Sequence, residues 1–226
     1  MFINVLCILT IFVNASFCTT GLTGHIVGGV YASTEDFPHS AYLAIQCKSN
    51  QGNDRHGCGS SIINQYFVLS AAHCFEDCFP MPHSFVGVSV GSHSIKEGFT
   101  LYRADHFYSH EYYDTYTIEN DISLVRLLYP MQFNRNIKKV ALVRSPPQKE
   151  PGEVAGWGLI DVKQKVLICR GDSGSGLVVR KYILVGIVSY KLPDQSNTVS
   201  IFTEAAHFYD WITRTSSRLY CRKYFF

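Results

Sequence analysis

From residue 26 onward the chain breaks into short strand-like runs whose turns carry Gly, Asn, Pro and Ser, and between them no long helical repeat occurs. The runs lie at 41–46, 60–70, 85–90, 99–103, 122–128, 153–155, 177–179 and 183–189. Such a pattern predicts an all-β fold of antiparallel barrels or a sandwich, and periodicity does not choose between them. One helix is expected at the end. There Phe208, Trp211, Ile212, Thr215 and Leu219 recur at three- and four-residue steps over about 206–219, which gathers their apolar groups on one face for core packing. With 226 residues, 46% of them hydrophobic, the chain can bury one real core or two small ones that share an interface. Pro146-Pro147 followed by Pro151-Gly152 marks a turn-rich connection between two β halves, about 40–140 and 141–205.

The first fifteen residues carry no charged side chain, and the apolar run from Val5 to Val13 is too short to span a bilayer. Val13-Asn14-Ala15 then offers the small residues a signal peptidase accepts, so residues 1–15 read as a secretory signal rather than a buried strand or helix. The mature protein is expected to be soluble and extracellular, with no membrane partner. A net charge of +2 builds no phosphate-binding field, which leaves nucleic-acid binding without support. Cysteines stand at 7, 18, 47, 58, 74, 78, 169 and 221, and loss of Cys7 with the signal leaves an odd number in an oxidising compartment. A zinc site using Cys74, Cys78 and His73 or His83 is a weak alternative, because the adjacent His73 and Cys74 point differently.

Gly171-Asp172-Ser173-Gly174-Ser175-Gly176 is the most unusual stretch. Its glycines permit the tight backbone that exposes a serine hydroxyl while neighbouring amides converge on an anionic oxygen, although alone it reads equally as a surface turn. Ala71-Ala72-His73-Cys74 places a histidine at the end of an apolar strand, where its ring can be held as a general base or simply be a hydrogen-bonded, partly buried imidazole. Asp121, just before Ile122-Ser123-Leu124-Val125, can sit at a strand entrance and orient that imidazole.

On these residues the sequence resembles the trypsin and chymotrypsin family of serine proteases. Ile26-Val27-Gly28-Gly29 is similar to the family's activated N-terminus, and Ala71-Ala72-His73-Cys74 to its histidine motif. Asn120-Asp121-Ile122 resembles the aspartate motif, and Gly171-Asp172-Ser173-Gly174 the nucleophile motif. The resemblance, which runs from Ile26 to Leu219, implies two antiparallel six-stranded-type β-barrels and a C-terminal helix. It implies peptide hydrolysis in which Ser173 attacks the carbonyl, His73 shuttles the proton and Asp121 holds the tautomer. The amides of Gly171 and Ser173 would form the oxyanion hole, and no metal or cofactor enters the scheme.

It further implies that cleavage before Ile26, which removes a propeptide at 16–25, frees an ammonium to bury beside Asp172. The protease domain would then be 26–226. Cys58 and Cys74 match the disulfide that clamps the histidine loop; Cys47 and Cys78 flank the same region as a further bridge, and Cys18 is a candidate to tie the propeptide to the body through Cys221. Expected partners are a protein or peptide substrate, a protease inhibitor and an activating protease, with the chain itself a monomer.

The pattern breaks in the second half. Only ten residues, 159–168, separate Gly158 from Cys169, where the family carries several tens more, including second-barrel strands and much of the specificity pocket. The second barrel is therefore expected to be truncated, with strand edges to cover. Cys169 lacks its family partner between 190 and 198, Ser189 stands where substrate backbone pairs, and Lys191 replaces a pocket-mouth glycine. Ser175-Gly176 replaces Gly-Pro, Ser200 falls at a pocket glycine, and His25 occupies the position usually held by Arg or Lys. These departures leave primary specificity open and set a second reading beside the endopeptidase: a homologue that acts by protein binding without turnover.

Overall fold

Alternation builds the first half of the molecule. In β1 (Ser40–Ser49), Ala41, Leu43, Ile45 and Cys47 are buried while the residues between them are half-buried, the two-residue period of a strand with one face on a core. The computed structural model describes residues 32–49, 52–78, 85–158, 172–191 and 200–222. Within them β1 pairs antiparallel with both β2 (Gly52–Ile62) and β4 (Phe85–Val90), so the sheet closes on itself. With β3 (Phe67–Ser70), β5 (Thr100–Ser109) and β6 (Ser123–Leu127) it forms a closed barrel in the order β1-β2-β3-β6-β5-β4. Leu43, Ile62, Val88, Leu124 and Leu127 are fully buried in it, each contributing about 1.5–3 kcal/mol of apolar burial.

Two strand expectations are revised. The run at 60–70 is not one strand, because Asn64 turns the chain: its Oδ1 accepts the amides of Tyr66 (2.8 Å) and Phe67 (2.9 Å), the local bond that makes asparagine a turn residue. The run at 99–103 continues to Ser109. β5 pairs with β4 through Thr100–Arg103 and with β6 from Ala104 to Ser109, with a register shift between Ala104 and His106 in the second pairing, so one strand turns a barrel corner behind a polar sequence.

Among the described residues the second half forms a four-stranded sheet in the order β10-β9-β8-β7, made by β7 (Gly152–Val154), β8 (Gly176–Val179), β9 (Ile183–Lys191) and β10 (Ser200–Glu204). Where the chain passes from barrel to sheet, Val140 N donates to Ile62 O at 2.8 Å and Ala141 N to Tyr182 O at 2.7 Å. The terminal helix α1 spans Tyr209–Arg222 and buries Trp211, Ile212, Thr215 and Leu219. Arg126 on β6 donates to the Leu219 carbonyl at 2.9 Å and pairs with Asp105, so the barrel satisfies a carbonyl near the end of the helix.

Candidate active site

β3 runs out at Ser70, the buried Ala71 and Ala72 follow, and His73 opens a short 3-10 helix, His73–Cys78. Two disulfides staple that helix to the barrel: Cys58–Cys74 from β2, with Cα atoms 6.4 Å apart, and Cys47–Cys78 from β1, with Cα atoms 4.8 Å apart. Both expected bridges are therefore present, and the zinc alternative falls because Cys74 and Cys78 have no thiolate to give. Cys18, the candidate partner of Cys221, lies outside the described residues; Cys221 at the end of α1 is an exposed free cysteine.

Asp121 comes from the turn between β5 and β6. Asn120 adopts a left-handed φ of 57°, which asparagine tolerates, and this brings the aspartate inward. The Asp121 side chain is wholly buried and grips His73 twice, accepting its backbone amide at Oδ1 (2.9 Å) and its Nδ1 at Oδ2 (2.8 Å). A carboxylate can only accept here, so Nδ1 is the donor of this bond, which in the neutral ring leaves the lone pair on Nε2. The His73 side chain is 24% exposed, the access a proton-transfer group needs. From the second half, Ser189 on β9 donates its hydroxyl to Asp121 Oδ2, and Thr203 on β10 donates to the Asp121 carbonyl at 2.8 Å. A buried anion demands such donors.

The Ser173 turn is pinned from both sides. Its carbonyl accepts Gly59 N of β2 at 2.7 Å and lies 3.9 Å from Cys74 Sγ, while Gly174 N donates to Val188 O at 2.8 Å. Gly174 has φ 82°, and a Cβ there would fall 2.4 Å from the Gly59 carbonyl, so only glycine lets the turn press this closely against β2. Asp172 is fully buried and accepts Gly158 N at 2.8 Å.

The structure thus brings His73, Asp121 and Ser189 into one hydrogen-bonded network and sets the Ser173 turn beside the bridge that follows His73. Gly171, Ile26, His25 and Cys169 lie outside the described residues. Lys191 closes β9, where it pairs with Ser200. Sequence reasoning expected Ser189 to meet substrate backbone and did not foresee that its hydroxyl serves Asp121. Thr203 was missed altogether, since its partner lies 82 residues away and leaves no local signal.

A closed barrel and a second β unit, meeting along a seam that holds a histidine, an aspartate and a serine turn, define the chymotrypsin-like class of serine proteases. The chain belongs to the trypsin family, whose model, described as Trypsin, matches residues 26–167 and 159–212. It is 30% identical to granzyme-like protein 1 of Rattus norvegicus over 93% of this chain and 99% of that protein. It is 31% identical to cathepsin G of Mus musculus over 86% of this chain and 87% of the relative. Among solved structures, "HL collagenase" aligns over 87% of this chain and 98% of its own, with a TM-score of 0.68 and 22% identity. A scabies mite inactivated protease paralogue, S-D1, aligns over 85% of this chain and 97% of its own, with a TM-score of 0.72 and 19% identity. These two likenesses speak for the fold alone. Among the described residues, no helix is long and apolar enough to cross a membrane.

Proposed function

We propose that this chain is a secreted serine endopeptidase that hydrolyses peptide bonds through an acyl-enzyme. Ser173 Oγ attacks the scissile carbonyl, His73 Nε2 takes its proton and returns it to the leaving amine, and Asp121 fixes the Nδ1–H tautomer and stabilises the imidazolium. The amides of Gly171 and Ser173 receive the developing oxyanion, and an ammonium freed at Ile26 completes the pocket around Asp172. The observation that carries this reading is the double grip of a fully buried Asp121 on His73, reinforced by Ser189. A purely structural histidine has no use for a desolvated carboxylate on one nitrogen and partial exposure around the ring.

Protein cut before Ile26 is to be treated with a serine-directed fluorophosphonate beside a Ser173→Ala control. Labelling that disappears in the control supports the enzyme. A folded, correctly cut sample that stays unlabelled refutes hydrolysis and leaves the binding homologue.

A further inference from the structure

We infer that Tyr42 and Trp157 form a latch that positions the Asp172–Ser173 pair, so that both aromatic residues are positioning residues of the site. The inference rests on the hydrolase reading above for its kinetic consequence, and on the structure alone for its mechanical one.

Asp172 and Ser173 are neighbours in sequence, yet they are held from different bodies. Gly158, in the strap that follows β7, donates its amide to the Asp172 carboxylate at 2.8 Å, while Gly59 of β2 donates to the Ser173 carbonyl at 2.7 Å. Any drift between strap and barrel would pull these anchors apart. Tyr42 spans that gap. In the β1–β2 register it stands opposite Gly59, and its ring meets Trp157 edge-on, with centroids 5.9 Å apart and planes at 71°. Such an edge-to-face pair is worth about 0.5–1.5 kcal/mol beyond its area burial.

Trp157 carries a second bolt. Its Nε1 donates to the His93 carbonyl at 2.8 Å, in the turn that leaves β4, the other neighbour of β1 in the barrel. The strap is therefore fixed to the barrel at two points one residue before the amide that holds Asp172. The fit beneath is close: a Cβ on Gly158 would fall 2.5 Å from the Asp172 carboxylate. The Tyr42 hydroxyl lies over Gly57, where a Cβ would come within 2.0 Å of it, so residue 57 has to be bare for the tyrosine to reach the tryptophan. Burial raises the Tyr42 pKa, consistent with a phenol packed in place and kept neutral.

If the latch opens, the buried Asp172 carboxylate loses the amide of Gly158, and the Asp172 end of the turn is no longer tied to the strap while Gly59 still holds Ser173. The test compares Tyr42→Ala, Tyr42→Phe and Gly57→Ala with the parent, all cut before Ile26. Hydrogen exchange is followed in peptides spanning 152–158 and, as a control, in β3 and β6. Tyr42→Ala and Gly57→Ala are expected to speed exchange in the strap about tenfold with the control strands unchanged. They are expected to slow fluorophosphonate labelling about tenfold, lowering kcat while KM stays within about twofold, whereas Tyr42→Phe, which keeps the ring edge, matches the parent.

Strap exchange unmoved by Tyr42→Ala, equal acceleration in β3 and β6, or a Tyr42→Phe variant as impaired as Tyr42→Ala would each overturn the latch. Should Tyr42→Ala fail to fold, Gly57→Ala, which displaces the ring without removing it, decides. A parent that exchanges normally but never labels sinks the hydrolase reading, and the exchange data then judge the latch alone.

Discussion

The two halves of this protein solve the same problem differently. The first closes six strands into a barrel, so every strand has a partner on each side and two disulfides lock the helix that begins at His73. Among the described residues the second shows four strands with β7 and β10 at the ends of the sheet, and β7 is only three residues long. Closure removes free edges and limits relaxation, while an open sheet can shift to absorb a change. Positional precision is therefore cheaper to maintain in the barrel, and the seam exports it: Gly59 of β2 fixes Ser173, and in return Ser189 and Thr203 fix Asp121.

The largest effect expected bears on that exchange. Asp121→Asn keeps the shape but offers an amide to Nδ1, favouring the wrong tautomer, and should slow substrate turnover by about 10⁴-fold with an unchanged melting temperature. A loss of only a few-fold would show that the barrel's contribution to the chemistry has been overstated. Next comes a direct comparison of the halves. Leu43 in the barrel and Leu184 in the sheet are both essentially unexposed, and truncation to alanine should cost about 2–5 kcal/mol at either site, with Leu43 near the top of the range and Leu184 near the bottom. Urea unfolding of the two variants measures this, and the reverse order would break the comparison.

A third prediction concerns acid. Burial pushes His39, at the entrance to β1, down to about 4 from an ordinary 6.5. The unfolded chain then takes up a proton below about pH 6.5 that the folded protein refuses until about pH 4. Stability is accordingly full above that window and falls through it by up to about 3 kcal/mol. His39→Phe should flatten the melting temperature between those pH values; an unchanged slope would mean that the acid response lies elsewhere. The smallest effect is expected for Thr203→Val, which removes one bond across the seam and should cost about 1 kcal/mol in thermal unfolding while lowering turnover modestly.

What could be read beforehand follows the reach of each interaction. β4 was legible over its whole span because Phe85–Val90 is apolar and short, and α1 because Trp211, Ile212 and Leu219 repeat at helical steps. The Asn64 turn was hidden by apolar residues on both sides, and the extension of β5 by Arg103, Asp105 and His106, which sit on a corner where both faces are partly wet. β10 was missed because its residues are only half-buried and carry no clean alternation. His73, Asp121 and Ser173 could be named from motif resemblance, and the Cys58–Cys74 bridge likewise, while the Cys47–Cys78 bridge was suggested by the two cysteines flanking the same region. No local pattern announced the long-range contacts around these residues, Ser189 with Asp121, Thr203 with Asp121 and Trp157 with His93, which span 68, 82 and 64 residues.

The reciprocal holding of Asp121 and Ser173 also bears on the life of the newly made chain. Neither half owns a finished reactive group, because each borrows its orientation from the other. On the proposed chemistry, a molecule caught midway through folding is harmless to its neighbours, and competence cannot precede the docking of the two halves. The architecture thereby supplies a safeguard separate from any cleavage of a leader segment.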